Sequence, residues 1–203
     1  MLMPPVLAGL FVAVAGVAWA DGAAEPLSMP GRVLRAAEFP GFVPTERPTV
    51  VRDLAEWAKL YKPAGADAEH RLRREGFVSG VREDLRATTH SDSRGALSVV
   101  IQLGSAGAAR AELAGQARDF ASSPDRGTVK TSVPFAVPGI PGARGFTLTT
   151  SDSMGLNIIF ADGRFVYFVG AGWGLDAKQP PTRAQVISAS TTLYRRVRGR
   201  PPG

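Results

Sequence analysis

The sequence predicts an α+β domain, a mostly antiparallel sheet of about five to six strands with three to four helices packed against it. Three observations carry that expectation. Apolar residues recur at helical spacing in several windows that open on Thr or Ser. Period-two alternation of apolar and polar residues fills the stretches between those windows. Asp162-Gly163 separates two apolar runs, the pattern of a tight hairpin.

The elements follow in chain order. Thr49 is placed to cap a first helix whose apolar face is Val51, Leu54, Ala55, Ala58 and Tyr61, and Pro63 and Gly65 end it. A short helix over Ala66–Glu75 buries Ala68 and Leu72, with Gly76 at a left-handed C-terminal cap. Phe77, Val81 and Leu85 then share one strand parity, with Arg82, Asp84 and Arg86 on the other. Residues 88–95 read as a polar loop. Leu97, Val99, Ile101 and Leu103 form the inward side of the next strand, with Ser98 and Gln102 outward. Ser105 caps a helix to about Ala121, its stripe being Ala109, Leu113, Ala117 and Phe120, with Arg110, Glu112 and Arg118 outside it.

Val129, Thr131, Val133, Phe135 and Val137 alternate as a strand that Pro134 restricts to a sheet edge. The loop Pro138–Gly145 leads into a strand through Phe146, Leu148 and Thr150. In the run after Gly163, Phe165, Tyr167 and Val169 face one way and Val166 and Phe168 the other. Apolar residues on both faces mark a central strand. Thr182 caps the last helix, with Val186, Ala189, Leu193 and Val197 inward.

The ends of the 203-residue chain differ from this body. Residues 1–20 read as a secretory signal peptide: an uncharged apolar run from Val6 to Ala18, then Ala18-Trp19-Ala20 and Asp21, with cleavage between Ala20 and Asp21. The alternative is a retained anchor, although Pro4–Ala20 would reach only about 25 Å as a helix, short of a hydrocarbon core of about 30 Å. Residues 21–47 form a Pro-rich linker or extended segment, in which Glu38–Val43 is apolar enough to dock. Residues 48–197 form a single α+β domain, and 198–203 a basic tail. The expected location is secreted or cell-envelope, or N-terminally membrane-anchored if the segment is retained.

Charge and composition exclude several activities. The net charge is +6, but Arg195, Arg196, Arg198 and Arg200 supply four of those charges; subtracting them leaves +2 for the rest. That is no basic face for nucleic acid, and membrane contact is expected only through an uncleaved N-terminus. Cysteine is absent, which removes disulfides, thiolate metal sites and lipid attachment. His70 and His90 are the two histidines and lack ligand spacing, so no metal is expected. Gly170-Ala171-Gly172-Trp173-Gly174 follows an apolar strand but does not open a helix, which speaks against a dinucleotide site and any cofactor. His90-Ser91-Asp92-Ser93 holds triad residue types in a loop with no nucleophile elbow, so no catalytic residue is assigned. Glu83 and Asp84 point to opposite faces of one strand. The candidate ligand or partner surface is Arg144, presented by the Gly- and Pro-shaped loop, and Trp173 at a strand end.

Several segments together, FPGF (39–42), REGFVSGV (74–81), GSAGAARAEL (104–113), VPGIPGARGF (137–146), FADGRFVYFVG (160–170) and LYRRV (193–197), resemble a group of uncharacterised exported proteins of high-GC actinobacteria. Their architecture is similar to extracellular kinase-sensor and PsbP/Mog1-like α+β domains. The resemblance implies compartment and fold and carries over no site residue. Function is therefore expected to be binding or interaction in the cell envelope without catalysis, the partner being a small amphiphile, a wall fragment or an envelope protein. An extracytoplasmic hydrolase using paired carboxylates and a structural or adaptor protein are the alternatives.

Overall fold

A computed structural model of the chain describes residues 27–61, 67–88, 94–122 and 129–199. The signal segment with Ala20 and Asp21, the Pro63–Gly65 break and His90-Ser91-Asp92-Ser93 lie outside those residues.

Among the described residues the class is α+β, as the patterning predicts, but the sheet has eight strands rather than five or six. They are β1 (Phe42–Pro44), β2 (Thr49–Val51), β3 (Ser79–Ala87), β4 (Gly95–Gln102), β5 (Val129–Phe135), β6 (Arg144–Thr150), β7 (Ser153–Asp162) and β8 (Phe165–Gly174). The helices are α1 (Leu54–Tyr61), α2 (Asp67–Arg74), α3 (Ala106–Ala121) and α4 (Arg183–Val197), with 3-10 turns at Pro30–Arg32 and Ala36–Glu38. Strand order is β1-β3-β4-β8-β7-β6-β5, all antiparallel, and β2 shares the outer edge of β3 with β1. The two unforeseen strands are three residues each and come from Pro-rich sequence. An outermost strand needs partners on one side alone, which is why proline tolerates that position.

The sheet is covered on both faces. Against one face lie α4 and the N-terminal turns, enclosing Val33, Leu34, Phe39, Val81, Leu85, Val100, Ile158, Phe160, Tyr167, Val169, Val186 and Leu193. Against the other lie α1, α2 and α3, enclosing Trp57, Leu72, Val99, Ile101, Ala109, Ile159, Val166 and Phe168. β8 sits at the centre between β4 and β7, matching its two apolar parities.

Several local expectations are corrected. Thr49 belongs to β2; the α1 cap is Asp53, whose carboxylate accepts the Glu56 amide at 2.9 Å. The residue that α1 buries is Trp57, not the expected Ala55 stripe; Gly80 allows its ring to lie on β3, where a Cβ would come within 2.4 Å of it. Phe77 precedes β3 and packs toward Trp57, ring centroids 6.0 Å apart. Ser98 faces inward, not outward, because both faces of β4 are covered; its hydroxyl accepts the Leu34 amide at 3.0 Å. The β7–β8 turn is Gly163-Arg164, one residue later than expected, since Asp162 still pairs with Phe165 and Gly163 takes φ of 55°. Val133 stays 53% exposed on the far edge strand, although it shares the parity of Phe135, which packs on the α4-side core. Ser105 and Thr182 cap α3 and α4 as expected, accepting the amides of Ala108 and Gln185.

Residues 27–47 are tied firmly into the domain. Val33, Leu34, Phe39 and Phe42 are buried. Arg196 of α4 holds the same segment: its guanidinium meets both Glu38 carboxylate oxygens, at 2.6 and 2.9 Å, and donates to the carbonyls of Gly31 and Val33. Arg32 donates to the Tyr167 hydroxyl at 2.9 Å and covers the Phe165 ring. One arginine of the C-terminal cluster is thus structural.

Candidate functional site

The α3 face of the sheet is covered over half its length. The strand registers set out its rows. Gly80, Ile101 and Val166 form one, and Arg82, Val99, Phe168, Ile159 and Arg144 the next. Both lie beneath or beside the helices. Then come Asp84, Leu97, Gly170, Asn157 and Phe146, followed by Arg86, Gly95, Gly172, Gly155 and Leu148. In these last two rows the central strands carry glycine where a core residue would stand. The result is a shallow, wide-open cleft of about 380 Å³.

Gly95, Gly172 and Gly155 lie side by side across β4, β8 and β7 as the floor. A Cβ at any of them would meet nothing closer than 3.6 Å, and that a backbone oxygen, so the floor is bare peptide. One wall is the ring of Phe168, which stacks on Phe120 of α3 at 6.0 Å between centroids; Phe120 in turn stacks on Phe146 of β6 at 5.3 Å. The Asn157 amide and the Phe168 ring both lie over Gly170, where a Cβ would come within 2.6 and 2.8 Å of them. The other wall is Arg82 and Asp84 of β3, joined by two hydrogen bonds of 2.7 Å each. Asn157 is 9% exposed, and its side chain has no hydrogen-bond partner among the described residues. Its amide faces the cleft, where a ligand or water can take up its hydrogen bonds.

The residues singled out in the sequence sit elsewhere. Trp173 follows the floor glycine Gly172 but points to the opposite face, into the α4-side core. Arg144 is exposed at the start of β6 and, by alternation with buried Phe146, lies on the α3 face. The fold therefore places the two on opposite faces, and neither lines the cleft. Glu83 and Asp84 do face opposite ways: Asp84 lines the cleft, while Glu83 is buried with Oε1 unpartnered, its carboxyl pushed up by burial and by Asp84. The signal for the cleft was present in the Gly170–Gly174 run. Glycines at alternate positions of one strand, aligned with Gly95 and Gly155, mark a bare sheet face.

A second charged cluster joins α2 to α3. Arg71 donates to Glu112 at 3.1 Å and to Asp119 at 2.7 Å, and Gln116 donates to Glu112 at 3.0 Å. Glu112, expected outside the helix stripe, is 1% exposed because α2 covers that side of α3. Gly115 admits the Arg71 side chain; a Cβ there would stand 2.5 Å from Nε. Burial and the neighbouring Glu112 push Glu75 up to about 7. This is a carboxyl pair, but neither member lines the cleft or the notch bounded by His70, Arg71, Arg74, Arg118 and Asp119. Among the described residues no helix is long and apolar enough to cross a membrane.

No family model matches the sequence, and no curated protein matches it. Solved structures do. The extracellular domain of PknH from Mycobacterium tuberculosis superposes with a TM-score of 0.59 over 86% of this chain and 98% of that one, at 12% identity. An uncharacterized protein of Mycobacterium smegmatis, the Rv0999 ortholog, gives a TM-score of 0.40 over 78% of this chain and 90% of that one, at 10% identity. The chain shares the fold of the PknH extracellular domain.

Proposed function

We propose that this chain is an extracytoplasmic binding domain without catalysis, and that it holds its ligand in the glycine-floored cleft. The observation that carries the reading is Asn157, whose side-chain amide lines the cleft with no hydrogen bond to another described residue, beside a floor stripped of side chains. A fold gains no stability from leaving a central sheet face bare, since burying apolar side chains there is the usual source of it. Occupation by a ligand accounts for the missing side chains. The likeness to an extracellular domain and the apolar segment ending at Ala20-Asp21 support the location outside the membrane. Arg144, exposed on the α3 face, remains a candidate for a separate partner surface; Trp173 is buried in the α4-side core.

Two measurements test the reading. Mass spectrometry on fractionated cells is expected to find a chain beginning at Asp21 in the medium or wall fraction; a chain retaining Met1 in the membrane fraction makes it an anchored domain. For the cleft, the melting temperature is followed with and without a soluble envelope extract. Wild type is expected to gain stability by mass action. Gly172→Leu, which projects into the cleft from a position with room for a Cβ, is expected to keep its own melting temperature and lose the gain. An extract that shifts both proteins equally, or neither, overturns the cleft as the site.

A further inference from the structure

From the composition of the cleft we infer the chemical class of its ligand: a flat, uncharged ring bearing a hydrogen-bond donor beside an acceptor, as in an aromatic carboxamide or a nitrogen heterocycle. The inference rests on the cleft being the ligand site.

Flatness follows from the floor. A pleated sheet normally raises a side chain at each position of a face, so a ligand meets a studded surface. Here Gly95, Gly172 and Gly155 stand abreast on three adjacent strands. With strands about 4.8 Å apart, they bare a strip of peptide about 10 Å wide. A planar group can lie in van der Waals contact along that whole strip, with the Phe168 ring beside it as an apolar wall. A puckered or branched group would touch the strip at a few atoms.

Absence of charge follows from the walls. The charged side chains lining the cleft are Arg82 and Asp84, and they neutralise each other through two 2.7 Å hydrogen bonds. The third Arg82 nitrogen donates to the Leu60 carbonyl at 2.7 Å. Arg82 thus has all three nitrogens engaged. Leu85, Ala96, Leu97 and Ala171 complete the lining and carry no charge. A charged group entering therefore finds no unpaired counter-charge among the lining side chains.

The polar edge follows from Asn157. Its amide lines the cleft and presents an acceptor oxygen and a donor nitrogen side by side, with no hydrogen bond to another described residue. Such a pair is matched bidentately by a ligand edge with donor and acceptor adjacent, the geometry by which Asn reads an adenine edge. Asp84, with a side chain 46% exposed, can accept a further hydrogen bond from a neutral N–H or O–H.

The test is a nuclear magnetic resonance titration of the full-length protein, labelled with nitrogen-15, against three probes. Nicotinamide is flat, uncharged and carries the edge. Nicotinate has the same ring with a negative charge, and cyclohexanecarboxamide has the same edge on a puckered ring. Nicotinamide is expected to move the backbone amides of Gly155, Gly170 and Gly172 and the Asn157 side-chain amide, with the other two binding about tenfold or more weakly. Asn157→Leu is expected to weaken nicotinamide by about tenfold, with the dispersed spectrum reporting that the variant folds. Asn157→Asp, which keeps the shape but removes the donor, serves if the leucine variant does not fold. Equal or tighter binding of nicotinate or cyclohexanecarboxamide overturns the class, as does nicotinamide binding unchanged by loss of the amide, or failure of all three probes to move the cleft glycines. The extract measurement on Gly172→Leu is independent of these probes, so the site can stand while the class falls.

Discussion

The two faces of the sheet have the same strands and opposite fates. On the α4 face, Val100, Val169, Ile158 and Leu156 continue as apolar side chains toward Ala96, Ala171 and Trp173, and α4 with the N-terminal segment covers them. On the α3 face, β8 begins with Val166 and Phe168 and then turns to Gly170 and Gly172. The apolar half is roofed by α1, α2 and α3; the glycine half is open. One strand thus serves a sealed core with its odd residues and a half-open cleft with its even ones. The lesson is that side-chain size along one parity locates the end of a helical layer. Phe120, in the last turn of α3, stacks on Phe168 and Phe146 where the covering stops.

The contrast predicts unequal costs. Phe39→Ala on the sealed face removes a buried ring that packs, tilted, against Phe42 with centroids 4.6 Å apart. It is expected to cost about 3–5 kcal/mol, measured by denaturant unfolding. A loss below about 1 kcal/mol would mean that the N-terminal segment is an accessory, since surface changes stay near that size. Gly115→Ala, beneath the other face, pushes a methyl against an Arg71 pinned by Glu112 and Asp119. It is expected to cost about 1–3 kcal/mol; the same unfolding curve would show no change if Arg71 can swing out freely. Asp53→Ala removes the α1 cap and is expected to cost about 1 kcal/mol, by the same measurement.

The smallest effect depends on pH. Glu75 is raised to about 7 in the folded protein against an ordinary value of 4.5, so folding favours its protonated form. Its contribution is fully present below about pH 4.5 and is lost as pH rises through 7. Glu75→Gln, a permanent mimic of the protonated form, is expected to match wild type at pH 4 and to melt a few degrees higher at pH 8. Equal melting temperatures at both pH values would show that Glu75 and Glu112 do not compete for charge.

Much of the fold was legible. Helix starts at Ser105 and Thr182 were marked by hydroxyl residues that cap them, and the buried stripe of α4 by spacing alone. The central place of β8 followed from its two apolar parities. What escaped were positions where burial is decided by a distant element. Glu112 looks like a surface residue until α2 supplies Arg71. Ser98 looks outward-facing until Leu34, far back in the chain, offers it an amide. Trp57 is buried by what Gly80 lacks. For the candidate site, the Gly170–Gly174 run was visible but its meaning was not. Gly95, Gly155 and Gly172 become one floor through strand register, which joins residues from three strands.

By itself the sequence determined the α+β class, the order of helices and hairpins, the edge position of β5 and the absence of thiol chemistry, because these rest on local periodicity, capping and composition. The tertiary structure alone decided that Arg144 and Trp173 lie apart, that Arg196 clamps the N-terminal segment, and that three separated glycines meet beside Asn157. Those facts depend on register and layer packing, where a shift of one residue moves a side chain to the other face of the sheet.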